Sequence, residues 1–291
     1  MTNQLITLFT RTPLHVGAGN SVGVVDSPIM RERHTKTPII PGSSLKGVLA
    51  DLWNNDSENF TEGKGENGKS RKVRDNELKR LFGSDDDRAA CSGSLLIGEA
   101  RVLAFPLRSA KGGFAWITCP HALKKFARDT GKKLDTFDEP ANETCLAGSA
   151  VVFEEKKAVI LEEYRLTKTG AVPQSVVEAL QGVVADTLWE PEKRLVIVSD
   201  ELFSYFVENA CEVVTRIKIN DETGTVDEHH LFNQEQVPSE TLFYAILGTA
   251  KKAQEKDLKI LANKINDSCG NVLQIGGDAT IGLGFCSVKF A

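Results

Sequence analysis

"HVGAGNSVGVVDSPIMRERHTKTPIIPGSSLKG", His15–Gly47, decides the fold. Just ahead of it, Leu5, Thr7 and Phe9 alternate with Ile6 and Leu8, a period of two that predicts a strand. Just behind it, Leu45, Val48, Leu49 and Leu52 recur at helical spacing, with Ser43 or Ser44 expected as N-cap. The chain thus opens as strand, long glycine-rich loop, helix. Gly42 and Gly47 have P-loop spacing, but Val48 stands where Lys-Ser/Thr is required, so this is not a Walker A motif. A second glycine loop, "QIGGDATIGLG" at 274–284, lies too near the end of the sequence to be followed by a βαβ unit, which excludes a dinucleotide fold.

The chain has 291 residues, 41% hydrophobic and 26% charged, which suits a globular protein with one large core or two smaller ones. No apolar run of about 18 residues occurs, so no membrane partner is expected. The N-terminus lacks the basic and apolar regions of a secretory signal. The six cysteines, Cys91, Cys119, Cys145, Cys211, Cys269 and Cys286, form no CxxC pair. A reduced, cytoplasmic protein without zinc is the expectation. The net charge of -5 argues against a freestanding nonspecific nucleic-acid binder, but leaves room for a local basic groove or for RNA shared with neighbours.

Along the chain, residues 54–77 are almost devoid of apolar side chains and read as a flexible surface insertion. "LKRLFG" predicts a short helix closed by Gly83, and "PHALKKFARDTG" a helix from Pro120 with Gly131 beyond its end. "SVVEALQGVVADTLW" reads as an amphipathic helix, and "RLVIVSD" as a strand feeding "ELFSYFVEN". "CEVVTRIKINDETGTVDEHHLF" predicts a long hairpin turning at Asp221–Gly224. Strands and helices alternate irregularly, which favours α+β over a doubly wound sheet.

Several residues carry chemistry beside a plainer role. Ser43, Ser44 and Lys46 either cap and solvate a helix start or meet a phosphate there. The C-terminal glycines make either a tight turn or a close backbone approach to a ligand. Asp26 either starts a turn or serves an anionic substrate; RNA cleavage by its own 2′-hydroxyl would need in-line geometry and a proton acceptor or metal. A free Asp, with a reference pKa of about 3.9, is a poor base near neutrality, so Asp26 would hold a metal or a water, or be tuned by its site. "DEHH", 227–230, is a solvated hairpin flank or a metal or phosphate site, and "KSRKVR" a solvated loop or an RNA-backbone contact.

Together, "RTPLHVGAG", "VDSPIMRERHTKTPIIPGSSLKGVL", "LAFPLRSAKGGFAWITCP" and "QIGGDATIGLGF" resemble the RAMP superfamily of CRISPR proteins, and more narrowly the repeated backbone subunit of the type III-B (Cmr) effector complex. The likeness runs from about Leu5 to Val288. It implies a single RAMP domain over 1–291, with a discontinuous RRM-like (ferredoxin-like βαββαβ) palm and a thumb hairpin at 213–232. It implies guide crRNA, target single-stranded RNA, other copies of the chain and other Cmr subunits as partners, with copies stacked as a filament. It implies a loop Asp, matched by Asp26, that promotes target cleavage, with His15 and either Asp227 or Glu228 assisting and a divalent ion, Mg or Mn, as cofactor. Ser43, Ser44 and Lys46 match the guide-phosphate helix. Gly276, Gly277, Thr280, Gly282 and Gly284 match the loop beneath the guide, and Arg31 lies in a matching RNA-facing loop. Two alternatives stay open: a non-catalytic filament subunit, and a small-molecule enzyme that uses the glycine loops for a nucleotide.

Overall fold

The strand nearest the N-terminus lies at the middle of the molecule. The computed structural model describes residues 3–19, 25–53, 60–64, 70–74, 76–84, 90–219, 226–249 and 255–291. Asn3–Thr10 pairs antiparallel with Leu242–Thr249 on one side and with Phe285–Phe290 on the other. Ala100–Ser109 pairs antiparallel with the far edge of Leu242–Thr249. The helix Gly42–Asp51 follows the first of these strands, and the helix Glu255–Cys269 precedes the last.

The period-two pattern explains why this strand is central. Ile6 and Leu8 pack on one face with Phe243, Leu247, Leu45, Leu49, Leu258 and Leu261. Leu5 and Phe9 pack on the other with Trp116, Phe126, Leu180 and Trp189. Both faces are covered, so even Thr7 is buried, and its hydroxyl donates to the Val183 carbonyl. Each large apolar side chain so buried stabilises the fold by about 1.5–3 kcal/mol.

Beyond Ala100–Ser109 the sheet curls back on itself. Its order continues through Gly113–Thr118, Leu195–Ile197, Thr144–Ala147, Tyr164–Gly170 and Ala158–Leu161. Leu161 then pairs with Ser109, closing a ring of six strands. The fold is therefore mixed α/β, with one large sheet of both parallel and antiparallel pairs.

The hairpin stands apart as its own two-stranded sheet, Glu212–Ile219 with Val226–Gln236. It extends beyond the expected 213–232 at both ends, and its expected turn at 221–224 lies outside the described residues. Val213, Ile217 and Leu231 are more than half exposed on it, the mark of a ribbon that has left the core.

Two local expectations change. The helix after the first loop begins at Gly42 with Pro41 as N-cap, so neither Ser43 nor Ser44 is the cap. The Pro41 carbonyl accepts from Leu45 N at 3.0 Å, which sets the start. Gly42 is needed for packing, since a Cβ there would lie 2.5 Å from the Ile97 carbonyl oxygen. The helix expected over 175–189 ends at Gln181: Gly182 follows, and Val183, Val184 and Trp189 are buried by a non-helical turn. The 54–77 stretch carries a ladder of Phe60–Lys64 with Ser70–Arg74 and the start of the helix Asn76–Phe82. The helix Pro120–Thr130 is as read, with Pro at its first turn and Gly131 left-handed at φ 70°.

Candidate functional site

Four pieces distant in sequence meet at the base of the hairpin: residues 13–18, residues 25–31, the strand Val226–Gln236 and the loop 275–284. Ser27 N donates to Asn233 O and Glu235 N donates to Ser27 O, both at 3.0 Å. The loop thereby lies as a short parallel partner along the hairpin strand. Asp26 is exposed, and its Oδ2 accepts from Asn233 N at 2.9 Å. No hydrogen bond to its Oδ1 is found among the described residues.

His15 sits behind this loop, only 7% exposed. Its Nδ1 lies 2.7 Å from the Glu235 carbonyl oxygen, which can only accept, so Nδ1 carries the proton. Ser27 Oγ lies 3.2 Å from Nε2, within hydrogen-bond distance. Glycines lie against both the ring and the backbone of His15. A Cβ on Gly17 would lie 3.0 Å from Nε2, and one on Gly276 would lie 2.2 Å from the His15 carbonyl oxygen.

The C-terminal glycine loop thus makes a close backbone approach, but to the chain itself. Gly277 N donates to His15 O at 2.9 Å and Gly284 N to Pro13 O at 2.8 Å. Gly276, Gly282 and Gly284 all have φ near +80°. Gly277, Thr280 and Ile281 remain exposed on the outer side of the loop. Asp278 joins the loop to the hairpin, accepting from Gln234 Nε2 at 2.6 Å, and Gln234 Oε1 in turn accepts from Arg216 Nε at 2.5 Å.

Arg31 does not reach outward. Its guanidinium donates to Lys36 O at 2.6 Å, Val207 O at 2.9 Å and Glu235 Oε1 at 2.5 Å. Burial disfavours its charge, yet Cys211 and Glu235 beside it keep its pKa raised. Burial pushes the Cys211 thiol up to about 12, so that thiol is neutral at pH 7 and Glu235 is the partner that matters. Glu235 Oε2 accepts from Ile29 N at 3.0 Å, so both of its oxygens are engaged.

The expected divalent ion does not fit the described donors. Among the described residues no three His, Cys, Asp or Glu side chains converge. Both nitrogens of His15 and both oxygens of Glu235 are already bonded inside the protein. Asp227 and Glu228 belong to the strand Val226–Gln236, but their side chains lie outside what is described.

Ser43, Ser44 and Lys46 are not in this cluster. Their helix starts against Gly98, whose N donates to Ile246 O at 3.0 Å. Ile246 is four residues along the strand from Leu242, roughly 13 Å farther from the hairpin base. The helix start still offers the free amides of Gly42, Ser43 and Ser44, with Ser43 and Lys46 exposed. Glu235, Ser27 and Gln234 were not singled out by the sequence reading. The available signal was the polar run "NQEQ", 233–236, opposite apolar Val213 and Val214, which is inconsistent with a simple solvated strand.

No helix among the described residues is long and apolar enough to cross a membrane. The chain matches the RAMP superfamily over residues 7–287. It is homologous to the Cmr endoribonuclease Cmr4 of Pyrococcus furiosus, 36% identical over 297 residues that cover 99% of this chain and 95% of the relative. The crystal structure of oligomeric Cmr4 from Pyrococcus furiosus superposes with a TM-score of 0.73 at 29% identity, covering 100% of this chain and 98% of that one. A chain of a type III-B Cmr-beta complex bound to cognate target RNA shares the fold, with a TM-score of 0.72 at 19% identity over 100% of this chain and 97% of that one. With the family match spanning nearly its whole length, this chain belongs to the RAMP superfamily.

Proposed function

We propose that this chain is the repeated backbone subunit of a cytoplasmic type III-B CRISPR ribonucleoprotein. It binds guide crRNA together with other copies of itself and other Cmr subunits, and it cleaves guide-paired target RNA in antiviral defence. The observation that carries the reading is Asp26: an exposed carboxylate, pinned by one oxygen to the hairpin base, in a chain 36% identical to a Cmr endoribonuclease. The palm reads as RRM-like because its strands lie in the order fourth, first, third, second, with a helix after the first and another after the third. Glu212–Gln236 is then the thumb.

In-line attack of the target's 2′-oxygen on the adjacent phosphorus forms a 2′,3′-cyclic phosphate and breaks the P–O5′ bond; the 2′-hydroxyl proton passes to water, and the 5′-oxygen takes a proton from water to leave as a hydroxyl. Asp26 Oδ1 accepts a hydrogen bond from that 2′-hydroxyl and orients it, while the thumb splays the strand into line. The amides of Gly42, Ser43 and Ser44, with Lys46, receive a guide phosphate. The outer face of the loop at Gly277, Thr280 and Gly282 lies beneath the guide.

The test is target cleavage by the assembled complex, with target binding measured in parallel, for wild type, Asp26→Asn and Asp26→Ala. Asn keeps an acceptor for Asn233 N–H but loses the charge; Ala loses both. Both variants should bind target and lose a regularly spaced ladder of products. If only Ala loses it, Asp26 is a structural pin. If both cut like wild type, the nuclease assignment of Asp26 fails and a non-catalytic filament role gains.

A further inference from the structure

Three of the four polar groups of Glu235 meet the Asp26 loop, and the fourth meets His15 behind it. Its Oε1 takes Arg31 at 2.5 Å and its Oε2 takes Ile29 N at 3.0 Å. Its carbonyl oxygen takes His15 Nδ1 at 2.7 Å, and its N–H donates to Ser27 O at 3.0 Å. One residue of the hairpin strand thus holds loop positions 15, 27, 29 and 31 on both flanks of Asp26. The residue is 9% exposed, and a carboxyl so placed needs partners, of which each oxygen has one.

Beyond Ser27 the loop is also tied to residues 16–18 and 39, since Ala18 N donates to Pro28 O at 2.9 Å, Met30 N to Val16 O at 2.8 Å and Ile39 N to Met30 O at 3.0 Å. Among the described residues, the backbone bonds of Ser27 and the side-chain bond of Asp26 go to the hairpin strand, at Asn233 and Glu235. Arg31 extends the same brace to the end of the helix Asp200–Asn209 through Val207 O and Glu208 O. A displacement of the hairpin base is therefore carried to Asp26 directly through Asn233, and to the residues on either side of it through Glu235.

We propose that Glu235 is a positioning residue for Asp26, coupling the hairpin to the cleavage loop so that the carboxylate takes its working place only when the hairpin is seated. This rests on the nuclease reading of Asp26. Glu235 touches no substrate and acts through the loop. The coupling gives target engagement at the hairpin a physical route to the cleavage step, separate from the contacts that bind RNA.

The experiment uses the assembled crRNA complex, with Glu235→Gln as the main variant. Gln can accept one of the two side-chain bonds but presents an amide to the other donor. The cleavage rate constant at saturating target should fall at least ~10-fold, since misplacing a reacting group by about 1 Å costs on the order of 100-fold. The Kd for target should stay within about twofold. In an Asp26→Ala background, Glu235→Gln should add less than about twofold to the residual loss, because it acts through Asp26. Should Glu235→Gln fail to assemble, the double variant Arg31→Met/Glu235→Gln removes the buried cation left unpaired, and the same split is expected.

Cleavage at the wild-type rate by Glu235→Gln, in a preparation where Asp26→Ala is dead, overturns this inference and leaves the nuclease reading intact. A parallel loss of rate and target affinity also overturns it, reducing Glu235 to a folding role. If wild type cuts nothing, the nuclease reading is what has failed. The coupling is then read by amide hydrogen exchange of residues 25–31: protection at least ~10-fold lower in Glu235→Gln upholds the brace, and unchanged protection refutes it.

Discussion

Gly276→Ala tests whether the C-terminal glycine loop is shaped by the chain itself. The substitution meets two costs. At φ 82° an L side chain is strained, by about 1 kcal/mol. The new Cβ would lie 2.2 Å from the His15 carbonyl oxygen, which is backbone and cannot rotate away. The loop must retreat, breaking the 2.9 Å bond from Gly277 N to His15 O. Leaving that carbonyl poorly satisfied adds about 1–3 kcal/mol. Gly282→Ala is the internal control: its φ of 87° gives the same strain, but nothing lies within 4 Å of its Cβ position. The expected losses are about 2–4 kcal/mol for Gly276→Ala and about 1 kcal/mol for Gly282→Ala. An unfolding entropy near 2.1 cal/mol/K per residue converts these into Tm decreases of roughly 3–6 °C and 2 °C for a chain of 291 residues. Thermal unfolding of the isolated chain, with urea titration as a second measure, gives both numbers. Equal shifts for the two variants would refute the reasoning, because they would mean that the close approach to His15 carries no energy.

Three further outcomes follow from buried polar groups. Asp257 is fully buried and bound by Arg80 and by the Ser94 hydroxyl at 2.6 Å, so Arg80→Ala should cost about 2–4 kcal/mol in a denaturant titration, by leaving that carboxylate short of a cation. Thr118 Oγ1 is buried without a hydrogen-bond partner among the described residues, so Thr118→Val should stabilise by about 0.5–1.5 kcal/mol in the same assay. Burial, then the nearby Asp186, push the Glu240 carboxyl above its ordinary 4.5. The folded state then holds the proton more tightly than the unfolded state, so stability is lost as pH rises from about 4.5 through the folded value. Glu240→Gln should therefore melt above wild type at pH 7, with the gap closing below pH 4.5, as calorimetry across pH would show.

Local order was legible wherever a short-range rule governs it. The central strand followed from its alternation, the Pro120–Thr130 helix from Pro and Gly at its ends, and the hairpin from strand composition around a turn. The helix expected through Gly182 failed because burial of Val183, Val184 and Trp189 does not require helical geometry. The ring closure was invisible, because it rests on one pairing, Leu161 with Ser109, whose only requirement is tertiary. At the site, Asp26 and His15 could be named, but their setting could not. Glu235 is 220 positions from His15, and a glutamate on an exposed ribbon reads as solvated. The glycines left a tight turn and a close approach to a ligand both open, and the approach seen is to the His15 carbonyl, at the other end of the chain.

The central place of Asn3–Thr10 has a kinetic consequence. Among the described residues its sheet partners are Leu242–Thr249 and Phe285–Phe290, so this strand must wait for two that are made much later. At synthesis rates of about 5–20 residues per second, that wait lasts roughly 10–60 seconds, with an apolar strand bare on both faces. Every strand of the six-membered ring lies between Ala100 and Ile197, so the ring can be complete long before then. The nascent chain would carry a finished ring beside an unfinished palm, and the first strand is the segment a ribosome-associated chaperone would need to shield.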